Sequence, residues 1–160
     1  MLRPPQANGV GVGDGEACKP SIASGRPAAT PGRCHAMTVR LIIPIPPNEW
    51  LTANGRQHWR EKARRTKQLR SRARLVAQGA PELDRAEVLA VIRYPRNGRQ
   101  DPANAAPTVK ALIDGAVDAG MLPDDDAKHL PVLAFQRGPV TDHRPGWYAV
   151  ELAFDAPATT

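Results

Sequence analysis

Between residues 104 and 120, NAAPTVKALIDGAVDAG, the apolar side chains of Val109, Leu112, Ile113, Ala116 and Val117 fall at i, i+3, i+4, i+7 and i+8. That spacing puts them on one stripe of an α-helix. A short helix that is apolar on one side is stable only when a sheet or another helix covers the stripe. Material for the cover lies on both sides. VRLIIPI (39–45) is a short β-rich run closed by Pro46 and Pro47, AEVLAVIRY (86–94) alternates as a well-buried central strand, and HLPVLAFQRG and GWYAVELAF close the chain as two further strands. A second helical pattern, residues 54–78, separates the first two strands. Its expected N-cap is Asn54, with Gln57 in the capping-box position and Gly79 and Pro81 as stops. Trp59, Ala63, Thr66, Leu69, Ala73 and Val76 are its expected packing face. The order strand, helix, strand, helix, strand, strand in 160 residues predicts one domain of mixed α/β (α+β) class over 37–156. We expect a small mixed sheet carrying a long basic helix and a shorter helix with a row of acids.

Residues 1–36 are rich in Pro, Gly, Ala and Ser and lack an apolar period, so they are expected to be a disordered tail. Met37 directly precedes the first strand and is an alternative start for the functional chain. Both cysteines, Cys18 and Cys34, lie in the tail, and an ordered zinc site or disulfide framework is not expected. No apolar run suits a signal peptide or a membrane span. The expectation is a cytoplasmic protein with no membrane partner, associated with the nucleoid if it binds DNA.

The formal net charge of +6 conceals a segregation. Residues 54–78 hold 9 basic side chains against 1 acidic, so the rest of the folded part is mildly acidic. A solvated helix face normally mixes signs, because oppositely charged pairs one turn apart support the helix. A run of like charge fits a polyanion, and nucleic acid is the expected partner. The candidate contacts are Arg56, His58, Arg60, Arg64, Arg65 and Lys67, with Arg96 and Arg99 in the loop before Asp101. Trp50 and Trp59 flank the basic run; packing in the core or a loop is expected of them, with contact to DNA as the alternative.

The acids have their own pattern. Lys110, Asp114 and Asp118 form an i, i+4, i+8 row beside the apolar stripe, Asp101 precedes the helix, and Asp124, Asp125 and Asp126 come after it. Asn104 is the expected helix cap and Gly120 the terminator. Acids at both ends and along one row converge if the flanking loops fold back, and a hard divalent cation would draw them together. Mg²⁺ takes one or two carboxylates and completes its shell with water and substrate phosphate. Beside a basic helix, such a site is suited to phosphodiester hydrolysis, with Lys110 stabilising negative charge as it develops.

These residues resemble a known family, the RusA-type Holliday-junction resolvases. The likeness covers about Ile43 to Phe154 and rests on PIPPNEW, the basic helix and, above all, VKALIDGAVDAGMLPDDD. That run is similar to the family's K-x-x-x-D-x-L-x-x-A-G-x-x-x-D-D pattern, with Ala116 where Leu is usual. The resemblance implies a RusA-like mixed α/β fold and a homodimer that cuts four-way DNA junctions symmetrically with Mg²⁺, or Mn²⁺ in its place. It implies catalytic roles for Asp101, Lys110, Asp114 and Asp125, metal ligation by Asp101, Asp114, Asp124 and Asp125, and the family's Asn at Asn104. The chain departs from the pattern at Ala103, where the family has its second acid, and in a longer link from Asn104 to Lys110. Two other readings stand beside this one: a catalytically silent DNA-binding relative and, from another class, an RNA-binding module.

Overall fold

β-Branched and apolar side chains at every second position build the sheet. The computed structural model describes residues 35–157. Its strands are β1 (His35–Ile45), β2 (Glu87–Arg93), β3 (Leu133–Arg137) and β4 (Tyr148–Pro157); helix α1 (Trp59–Ala77) comes after β1, and α2 (Ala106–Asp118) lies between β2 and β3. The sheet order is β1-β4-β2-β3. β4 is antiparallel to both neighbours, pairing Ile43 with Val150 on one side and Ile92 with Val150 on the other. β2 and β3 are parallel, and α2 supplies the long crossover that a parallel pair requires. The fold is thus a mixed four-stranded sheet with two helices, a small α+β domain.

Ile43, Ile45, Val88, Ile92, Leu152 and Phe154 are all buried on one face of the sheet, in a single cluster with Leu69 and Ala73 of α1 and Val109, Leu112, Ile113 and Ala116 of α2. The stripe on α2 is therefore covered, as its spacing requires. The opposite sheet face carries Arg40, Ile42, Leu89, Val91, Arg93 and Glu151 in the alternate register. Gly115 lets the helices meet: a Cβ there would run into the carbonyl oxygen of Arg70 and lie 2.7 Å from the Ala73 methyl. Thr108 ties the start of α2 to the loop after β1, its hydroxyl donating to Leu51 O at 2.8 Å and accepting from Leu51 N at 3.0 Å.

Several boundaries differ from the sequence reading. β1 begins at His35, ahead of residue 39, and Met37 lies inside it, paired with Ala156. α1 begins at Trp59 with His58 as its cap, the ring Nδ1 accepting from Arg60 N at 3.3 Å. Asn54 is drawn elsewhere, its side-chain amide donating to Asn104 Oδ1 at 3.4 Å. Burial on α1 is confined to Leu69, Ala73 and Ala77, while Trp59, Ala63 and Val76 are exposed. Only the C-terminal half of this long helix has the sheet and α2 beneath it. Asn104 does not cap α2 either. Pro102 opens a 3₁₀ turn, Pro102–Ala105, ahead of α2; the carboxylate of Asp101 caps that turn, and Asn104 lies within it. Gly79 and Gly120 do sit just past the two helix ends in the left-handed conformation, with φ of 82° and 81°. Among the described residues, no helix is long and apolar enough to cross a membrane. The expectations about residues 1–34, including Cys18 and Cys34, lie outside the described residues.

Candidate functional site

Lys110 and Asp114 are one turn apart on the exposed side of α2, and the loop that leaves the helix at Gly120 returns along it. The return brings Asp125 to the Lys110 ammonium, which also donates to Asp114 Oδ1 at 3.0 Å. Two carboxylates so close repel one another unless a cation lies between them, and the lysine is that cation. Its side chain is 58% exposed and each aspartate 24%, so the cluster opens to solvent from its lysine side.

The other acids have separate engagements. Asp124 accepts the amide of Asp125 at 2.8 Å. Asp126 closes its turn by accepting from Lys128 N and His129 N, both at 3.0 Å, with His129 Nδ1 2.7 Å away; these contacts, the His129 amide first, hold its carboxyl below the usual range. Asp118 leaves the row to form a two-pronged pair with Arg70 of α1, and that guanidinium lowers its pKa. Asp101 spends Oδ1 on Ala103 N at 3.0 Å. It lines a cleft with Asn104, Arg99, Gln100 and three aromatic residues, and neither Lys110, Asp114 nor Asp125 takes part in that lining.

The aromatic wall of this cleft had no signal in the sequence. Trp50 stacks on Tyr148 with ring centroids 4.1 Å apart, and Tyr94 meets both edge-on. Tyr94 donates to the Asp101 carbonyl at 3.2 Å, and burial pushes its phenol up, so it remains a donor at neutral pH. The three residues come from the loop after β1, the end of β2 and the start of β4, which only the sheet order makes neighbours.

The basic helix is divided by its partners. Glu61 takes Arg64 and Arg65, which together lower its pKa to about 2, and Arg65 also donates to the Trp50 carbonyl at 3.1 Å. Arg70 holds Asp118, while Arg72 forks onto Glu49 at 2.8 and 3.0 Å. Glu49 is 8% exposed, and its pairing across 23 residues has no periodic pattern behind it. Among the described residues, Arg56, Arg60, Lys62, Lys67 and Arg74 form no ion pair and face solvent. Arg96 and Arg99 are exposed in the loop before Asp101, and His58 is exposed at the start of α1.

Among the described residues, no three His, Cys, Asp or Glu side chains are gathered as a ready set of metal ligands. The facing pair of Asp114 and Asp125 is nonetheless a hard oxygen donor set of the size that Mg²⁺ uses when phosphate and water complete its shell. Asp101 and Asp124 are not drawn to the Lys110 ammonium with them. No family model matches the chain, and no curated protein matches it.

Proposed function

We propose that this chain is a Mg²⁺-dependent endodeoxyribonuclease acting on branched DNA, of the RusA resolvase kind that its residues resemble. The observation that carries the reading is Lys110 between Asp114 and Asp125, on a fold whose other helix keeps Arg60, Lys62, Lys67 and Arg74 free of ion pairs among the described residues. Asp114 and Asp125 would hold Mg²⁺, which, when bound, polarises the scissile phosphate and lowers the pKa of its water. The protein's own groups do the rest. In the free protein, Lys110 neutralises the repulsion between the two carboxylates. Its exposed ammonium can then turn to the phosphate and offset negative charge as water adds and one P–O bond breaks. Arg56, Arg60, Lys62 and Lys67 hold the neighbouring phosphates. Cutting two strands of a four-way junction takes two sites, so the enzyme would work as a homodimer, at the nucleoid.

A second reading has its own support. Ala103 stands where the family has an acid, and Asp101 is committed to capping a turn. A chain with those features could bind junctions through α1 and leave them intact. Incubating a labelled four-way junction with the full chain, with and without Mg²⁺, separates the two. Paired nicks that require Mg²⁺ and disappear in Asp125→Asn and Lys110→Ala would support the nuclease. Tight binding without cleavage in Mg²⁺ or Mn²⁺ would leave a DNA-binding relative. Equal preference for structured RNA would argue against both.

A further inference from the structure

Trp59 is the most exposed large apolar side chain among the described residues, 68% open to solvent. Sequence spacing places it on the packing face of α1, yet none of the first ten residues of the helix is buried. An exposed indole costs solvation free energy, since burying a side chain of this size is favourable. Its surroundings say what covers it.

The indole opens onto a shallow groove along α1 lined by Lys62, Ala63, Thr66, Lys67 and Arg70. The Arg60 guanidinium lies 5.1 Å from the ring centroid, and His58 is tilted beside it at 5.7 Å. Arg60, Lys62 and Lys67 form no ion pair among the described residues, and the acid nearest in sequence, Glu61, is consumed by Arg64 and Arg65. An apolar protein surface, or the same basic helix of a second copy, would have to desolvate or oppose these like charges. An unpaired nucleotide would not. It brings a flat π face for the indole and a phosphate for the cations one step along the strand. Resting on the nucleic-acid reading above, we propose that Trp59 is a stacking platform for an unpaired DNA base, with Arg60, Lys62 and Lys67 gripping the flanking phosphates. The groove would thereby favour branched or gapped DNA over continuous duplex, a preference that cations alone do not provide.

The test is fluorescence anisotropy with the full chain in EDTA, on three labelled DNAs: a continuous duplex, the same duplex with a short single-stranded gap, and a four-way junction. Trp59→Ala is expected to weaken binding to the gapped duplex about tenfold or more. It should leave the duplex affinity and the dependence of log affinity on log salt unchanged, since no phosphate contact is lost. Trp59→Phe should retain most of the affinity for gapped DNA. Single-stranded DNA should quench the tryptophan emission of the wild type and have a smaller effect on that of Trp59→Phe, in which only the buried Trp50 and the half-buried Trp147 remain. If Trp59→Ala binds gapped DNA as tightly as the wild type, the stacking role is overturned while the nucleic-acid reading stands. If the wild type binds none of the DNAs in a salt-dependent way, both are overturned. Binding to anionic phosphatidylserine vesicles in preference to every DNA would assign the groove to a membrane surface and overturn the proposal.

Discussion

Gly115→Ala decides whether the crossing of α1 and α2 is as tight as the structure makes it. Helix propensity by itself argues for a gain: alanine in the interior of a helix is favoured over glycine by about 1 kcal/mol. The packing argues the other way. The new methyl would press on the Arg70 carbonyl oxygen, with the Ala73 methyl 2.7 Å away and the Arg70 carbonyl carbon 3.1 Å away. Two of these three atoms belong to a helical backbone that cannot rotate aside. Overpacking a core costs roughly 1–3 kcal/mol, and an unyielding neighbour puts this site at the upper end, about 3 kcal/mol. Set against the propensity gain, the net loss is about 2 kcal/mol, or roughly 8 °C in Tm for a domain of this size. Urea denaturation followed by circular dichroism measures it directly. Adding Ala73→Gly to Gly115→Ala should recover little, because the Arg70 carbonyl remains in the way. An unchanged or raised midpoint for Gly115→Ala would refute the reasoning, since it would mean that the helices separate without cost.

Thr108→Val keeps the shape of the side chain but removes both hydrogen bonds to Leu51, whose backbone is buried. Unsatisfied buried groups cost about 1–3 kcal/mol each, so a loss of roughly 3 kcal/mol is expected in the same denaturation assay, with Thr108→Ser close to wild type. A Thr108→Val midpoint equal to that of the wild type would show that water replaces the hydroxyl. The Glu61 pKa is lowered from 4.5 to about 2 by Arg64 and Arg65, so its contribution to stability is present above pH 4.5 and is lost as the pH falls toward 2. Glu61→Gln should remove that part of the acid slope, and carbon-detected NMR of the Glu61 carboxyl should titrate near the lowered value; titration at an ordinary glutamate pKa would refute the pairing.

The elements that could be read from the chain are those whose signal is local. The α2 stripe, the alternation of Val88, Ala90 and Ile92 in β2, and the turns at Gly79 and Gly120 each depend on neighbours within about two helical turns. Boundaries move where a contact distant in sequence takes over the local group. Asn54 has the local setting of a cap, with Gln57 three residues on, but its amide goes to Asn104, 50 residues away. Trp59 has the spacing of a core residue, in phase with Leu69 and Ala73, but spacing gives the side of a helix without saying how much of that side has anything beneath it. The row of Lys110 and Asp114 was legible for the same reason that any i, i+4 pair is.

Sequence alone therefore determined the class of fold, the two helices, the charge of α1 and the Lys110–Asp114 pair, because helical and strand periods are properties of adjacent residues. Tertiary structure decided the rest. It chose Asp125 over Asp124 and Asp126 to meet Lys110, sent Asp118 to Arg70, paired Glu49 with Arg72, and set Trp50, Tyr94 and Tyr148 around Asp101. These choices depend on the path of a loop and the order of strands in a sheet. Both are settled by the burial of the whole core, and no short stretch of chain contains that information.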